Sequence, residues 1–183
     1  LTWGVALVTL KVLPDYLGAS SFGSYQVGDA WGYSLAVFLT LGVDTYISRE
    51  IAVRPKHASD LFGGLLVARA VVLMPLALYT WFFWLPAQVE EVRVAGMLFS
   101  IGYVFTAMNQ TFQQMLQAAS KVSGLAIANV AGKILWGGGT LGLALARMPF
   151  WTLPLPYVVA EAAKLAVLYP SVKKAVDLEI RFD

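Results

Sequence analysis

The chain has 183 residues, of which 58% are hydrophobic and 13% charged, and its mean hydropathy is +0.68. That balance is not one of a domain presenting a polar exterior to water. A formal net charge of +2, with no basic run interleaved with aromatics, excludes a nucleic-acid footprint, and zero cysteines exclude a disulfide framework, a thiol nucleophile or a thiolate metal site.

The predicted elements are apolar helices separated by short polar turns. The chain opens at Leu1 inside a helix that runs to about Leu13, short of the roughly 20 residues a full span needs, so its first turns are expected to lie outside this sequence. Pro14, Asp15, Gly18 and Gly23 supply turn chemistry in a Gly/Ser loop. Helix two is predicted from about Gly28 to Ser48, followed by a loop with Arg49, Arg54, Lys56 and the lone His57. Helices three to six are predicted at about 61–85, 92–116, 122–146 and 153–169. The expected fold class is an all-α integral membrane protein, a bundle of six transmembrane helices over residues 1–170 whose first helix is truncated at its start. A mixed-charge tail or linker over 171–183 completes it. Lys and Arg near span ends are retained in the cytoplasm, and Arg49, Arg54, Lys56, Lys121, Lys173, Lys174 and Arg181 all fall on one side. Both chain ends are therefore expected in the cytoplasm.

Polar residues within the spans recur at helical spacing. Tyr103, Thr106, Gln110, Gln113 or Gln114, and Gln117 fall on one face of helix four, and Asn129, Lys133, Gly137 and Thr140 on one face of helix five. Tyr157, Glu161 and Lys164 share a face of helix six, as do Tyr33, Thr40 and Asp44 on helix two. Such stripes often serve only as hydrogen-bonding contacts between helices. A charge at the centre of a span, however, costs about 2.5–3.5 kcal/mol even on the lenient insertion scale, and asks for a function.

Depth ranks the charges. Lys133 is about ten residues from either helix end, roughly 15 Å deep, beyond comfortable snorkelling; Arg69 is roughly 12 Å deep. Lys164 either faces a ligand or pairs with Glu161 three residues earlier. Asp29 is read as a carboxylate at the positive start of helix two, Asp44 as an interfacial or ion-coupling group, and Glu161 as a site for a proton or sodium ion. The single His and the lack of HExxH or GxxxxGK spacing argue against a metal hydrolase or a phosphate-cradling enzyme, and no metal site is expected.

Leu17, Gly18, Phe22, Gly23 and Tyr25, then Leu41, Gly42, Asp44 and Thr45, the run Arg49, Glu50, Ile51, Ala52, and Gly63 with Arg69 together form a recognisable pattern. It resembles the amino-terminal signature of polysaccharide-export flippases, the branch of the multidrug, oligosaccharidyl-lipid and polysaccharide exporters that includes O-antigen flippases. The resemblance covers the chain in helix order and loop length and is specific from Tyr16 to Arg69. It implies the first of two six-helix lobes around a central cavity that opens alternately to either side of the cytoplasmic membrane. The implied substrate is a lipid-linked glycan with a pyrophosphate head, and the second lobe is absent from this sequence.

The expected site combines cavity cations Arg69, Lys133 and Lys164 with a polar lining of Tyr33, Gln110, Gln113, Gln117, Asn129 and Tyr157. Asp44 and Glu161 are the candidates for coupling to Na+ or H+, and no other cofactor is expected. Two other readings stay open: a cation-coupled exporter of small amphipathic molecules, which would depend on carboxylates, and a non-transporting membrane scaffold.

Overall fold

Gly18 and Gly42 set the course of the first part of the chain. The structure, a computed structural model, describes residues 2–40, 42–54 and 57–176. Helix α1 (Thr2–Thr40) is bent at Gly18, whose φ of 71° and ψ of 166° lie in a region essentially reserved for glycine. Its second limb runs on to Thr40. The chain then turns at Gly42, left-handed at φ 73°, into the short helix α2 (Val43–Val53).

Two expectations are corrected here. The stretch 14–23 is helical on both sides of Gly18 and is not a loop. Tyr16, Leu17 and Phe22 pack against a buried cluster, and that packing outweighs the weak helix propensity of the neighbouring Ser and Gly. Nor is there one helix from Gly28 to Ser48, because the left-handed turn at Gly42 separates α1 from α2.

The remaining helices follow the hydropathy. Helix α3 (Ala58–Tyr79) continues through a widened π turn (Thr80–Trp84) and a 3-10 turn (Leu85–Ala87). The widened turn carries Trp84 inward, where it stacks on Trp31 with ring centroids 5.0 Å apart, while Trp81, Phe82 and Phe83 face out. Helices α4 (Glu90–Ala118), α5 (Ser123–Leu145) and α6 (Leu155–Val176) complete the fold, and no strand occurs among the described residues. Both α4 and α5 end on a residue in the left-handed region, Ser120 and Arg147. In each case the next N–H reaches back to close the helix, Lys121 to the Leu116 carbonyl at 2.9 Å and Met148 to the Leu143 carbonyl at 3.0 Å. Residues 171–176 of the expected tail belong to α6; residues 177–183, with Arg181, lie outside the described residues, as does Lys56.

Helix α4 is the axis of the bundle, packed against α1, α2 and α6, and α5 closes the side between α6 and α1. One core joins Ile47 and Ile51 of α2 to Phe62, Phe112, Met115 and Leu168. A second joins Leu13 and Tyr25 of α1 to Phe99, Ala144 and Leu153. The outer surface is apolar to a degree water would not tolerate: Val71, Met74 and Phe83 on the α3 segment are each about two-thirds exposed, and Ile127 and Leu145 on α5 more so. Among the described residues, Ala58–Ala87 and Glu90–Ala118 are long and apolar enough to cross a membrane. The other long helices carry the charges that line the interior: Asp29 on α1, Lys133 on α5, and Glu161 and Lys164 on α6.

Candidate functional site

Four helices enclose a cavity of about 410 Å³. Helix periodicity places its wall. Tyr25, Gln26 and Asp29 lie one turn apart on α1, and Phe99 and Tyr103 do so on α4. Asn129, Gly132, Lys133 and Trp136 line one face of α5, while Tyr157, Glu161 and Lys164 line one face of α6; Leu13 and Phe22 close the α1 side.

Hydrogen bonds hold this wall in place from the α4 side. Tyr103 Oη donates to Asp29 Oδ1 at 2.9 Å, which ties α4 to α1. The hydroxyls of Thr106 and Tyr157 are 2.6 Å apart, which ties α4 to α6. Asn109 Nδ2, fully buried, donates both to the Glu161 carbonyl at 2.9 Å and to Glu161 Oε2 at 2.8 Å. The other carboxylate oxygen, Oε1, accepts from Lys164 Nζ at 2.7 Å. Gly132 leaves room for this lysine: a Cβ there would lie 3.3 Å from Lys164 Cε. Glu161 is thus fixed by a neutral amide on one oxygen and a cation on the other, a geometry that orients the lysine stem across the α5 wall.

The expected site residues divide. Lys133, Lys164, Asn129, Tyr157 and Glu161 are brought together on the cavity wall. Arg69 is not: it is 7% exposed, and its Nη2 donates to both oxygens of Asp44 at 3.0 and 3.1 Å, while its Nε donates to the Leu39 carbonyl at 3.1 Å. Asp44 also accepts from Thr111 Oγ1. Burial without a partner would have been prohibitive for either charge, and the pair is where the sequence placed two separate functional groups. Tyr33 points outward, 59% exposed, with its ring edge against Tyr103 rather than on the cavity. Gln110, Gln113 and Gln117 line a separate cleft of about 280 Å³ with Gln114, Thr40, Gly42, Asp44 and Thr45.

The wall was expected to be cationic. It carries two lysines, Lys133 and Lys164, and two carboxylates, Asp29 and Glu161, so its formal charges balance. Asp29 was the residue that sequence reasoning discounted. Its assignment to a helix start fails because α1 is already helical through 19–28, and the available signal was a carboxylate in the middle of an apolar helix. Gln26 and Trp136 are further wall residues, Tyr25 of the family pattern is a third, and Asn109 is the buried support behind Glu161.

An apolar exterior around charged, amide and hydroxyl groups in a shared interior defines a helical membrane protein with a polar cavity. The chain belongs to the polysaccharide biosynthesis protein family, which matches it over residues 1–182. This bears out the resemblance carried by Tyr16 to Arg69 and assigns the protein to polysaccharide biosynthesis or export. No curated protein and no solved structure gives a significant match.

Proposed function

We propose that the protein translocates a lipid-linked glycan precursor across the cytoplasmic membrane by alternating access, and that this chain forms one six-span lobe of a two-lobe transporter with both ends in the cytoplasm. The single observation that carries the reading is the convergence of Lys133 and Lys164, from two helices, on one polar cavity inside an apolar exterior. Family membership supports it. Carrying a phosphate through bare hydrocarbon is prohibitive, whereas a hydrated groove with fixed cations replaces the headgroup's water. In this reading Lys133 contacts the pyrophosphate directly. Lys164 is held ready by Glu161 and shifts its bond from the carboxylate to the incoming phosphate, while Asn129 and Tyr157 donate to the remaining oxygens.

The test is glycan export in cells whose own exporter is deleted, complemented with the full-length protein. Lys133→Ala is expected to lower export about tenfold or more, since a charge-assisted hydrogen bond contributes about 1.5–3 kcal/mol, with membrane abundance and unfolding temperature unchanged. Undiminished export would remove Lys133 from the pathway.

One observation favours a second reading, an exporter of small amphipathic molecules driven by Na+ or H+: Asp29 and Glu161 balance the two lysines on the wall. Transport that survives Lys133→Ala but stops in Glu161→Gln would select it.

A further inference from the structure

The glutamine-lined cleft is chemically unlike the cavity. Gln110, Gln113, Gln114 and Gln117 of α4 face Thr40 and Thr45 across the α1–α2 turn. Each amide offers one acceptor oxygen and two donor hydrogens, and each hydroxyl can do both. There is no cation among the cleft's lining residues, and its one carboxylate, Asp44, is already committed to Arg69 and Thr111. Such a wall selects neither an anion nor a cation. It suits an uncharged ligand dense in paired donors and acceptors, the chemistry of a sugar ring. Its volume of about 280 Å³ is below the roughly 300 Å³ where drug-sized pockets begin, so it holds one ring rather than a chain.

The cleft and the cavity adjoin across one contact. Asn129, on the cavity wall, donates through Nδ2 to Oε1 of Gln113, on the cleft wall, at 3.1 Å. A molecule with a charged head and a neutral sugar next to it could place one part on each side of this amide pair.

We infer that the cleft is a monosaccharide subsite, separate from the charged cavity, that binds an uncharged sugar residue of the cargo through the Gln110 and Gln114 amides. This inference rests on the reading of the protein as a glycan carrier, and its test separates the two. Saturation-transfer NMR on the purified full-length protein in phosphatidylcholine nanodiscs uses glucose as the neutral probe and inorganic pyrophosphate as the anionic one. The Gln110→Ala/Gln114→Ala protein is expected to bind glucose about tenfold more weakly, with pyrophosphate binding and unfolding temperature unchanged. Lys133→Ala is expected to do the reverse. Should the double variant lose stability, Gln110→Met alone, which keeps the side-chain length, is expected to weaken glucose about threefold. No transfer to glucose in the wild-type protein, glucose binding that ignores the cleft exchanges, or glucose binding lost equally in Lys133→Ala overturns the subsite. Glucose held at the cleft with no pyrophosphate binding keeps the subsite and overturns the cavity reading instead.

Discussion

Arg69 Nη2 reaches both carboxylate oxygens of Asp44, at 3.0 and 3.1 Å, in a buried junction where α3 meets α2 and α4. The same side chain takes the Leu39 carbonyl, one of those that the end of α1 leaves without an intrahelical partner. It therefore clasps the α1–α2 turn from behind. Removing either partner strands a charge in a dry site, so Arg69→Ala and Asp44→Ala are each expected to lower stability by about 3–5 kcal/mol. The paired exchange Arg69→Met/Asp44→Leu is expected to cost far less than the sum of the single losses. Thermal unfolding of the three proteins in nanodiscs measures this, and wild-type stability in Arg69→Ala would remove the clasp.

The two backbone breaks differ in what they tolerate. A Cβ on Gly18 or on Gly42 would meet nothing within 4 Å, so substitution there costs backbone conformation alone. Gly42, at φ 73° and ψ 0°, is in the left-handed helical region that asparagine also visits; Gly18, at φ 71° and ψ 166°, is not. Gly42→Asn is expected to change stability by less than about 1 kcal/mol and Gly18→Asn to cost about 1–3 kcal/mol. Equal unfolding temperatures for the two variants would contradict this.

Gly102 sets the position of the Tyr157 ring. A Cβ there would fall 2.6 Å from Tyr157 Cδ1 and 2.7 Å from Cε1, on a ring whose hydroxyl is tied to Thr106. Gly102→Ala is expected to destabilise by about 1–3 kcal/mol and to reduce export by displacing the hydroxyl from the cavity. Adding Tyr157→Leu, which removes the ring, is expected to recover stability but not export. Stability loss that simply adds would show that the two residues are independent.

Glu161 accepts two bonds from two donors, Asn109 and Lys164. A glutamine amide has only one acceptor oxygen, and its NH2 would have to face one of those donors. Glu161→Gln is thus expected to cost about 1.5–3 kcal/mol by losing one charge-assisted bond. For the flippase reading its export loss should be the same with or without a Na+ or H+ gradient. A variant whose transport no longer responds to the gradient would favour ion coupling through this carboxylate.

The later helices were legible in the chain end to end, and the earlier ones only in part, without the helical course of 14–23 or the turn at Gly42. Helices read at about 61–85, 92–116 and 122–146 match the helical stretches Ala58–Ala87, Glu90–Ala118 and Ser123–Leu145 within a few residues, and α6 extends past its expected end. Long apolar runs bounded by turn residues are local signals. Before residue 54 the glycines and serines favoured a loop, yet Tyr16, Leu17 and Phe22 find a core to pack on and the backbone stays helical.

Hydropathy and spacing determined that the chain is helical, apolar outside, and striped with polar groups inside; these depend on residues near one another in sequence. Which stripe residues share a space was decided only by packing. Depth ranked Arg69 beside Lys133, but Asp44 reaches Arg69 only because Gly42 turns α2 under α3, whereas Lys133 of α5 shares a cavity wall with Glu161 and Lys164 of α6 because those two helices pack together. The electrostatic role of a buried charge depends on what lies within a few ångströms of it, and helix crossing, not sequence separation, sets that neighbour.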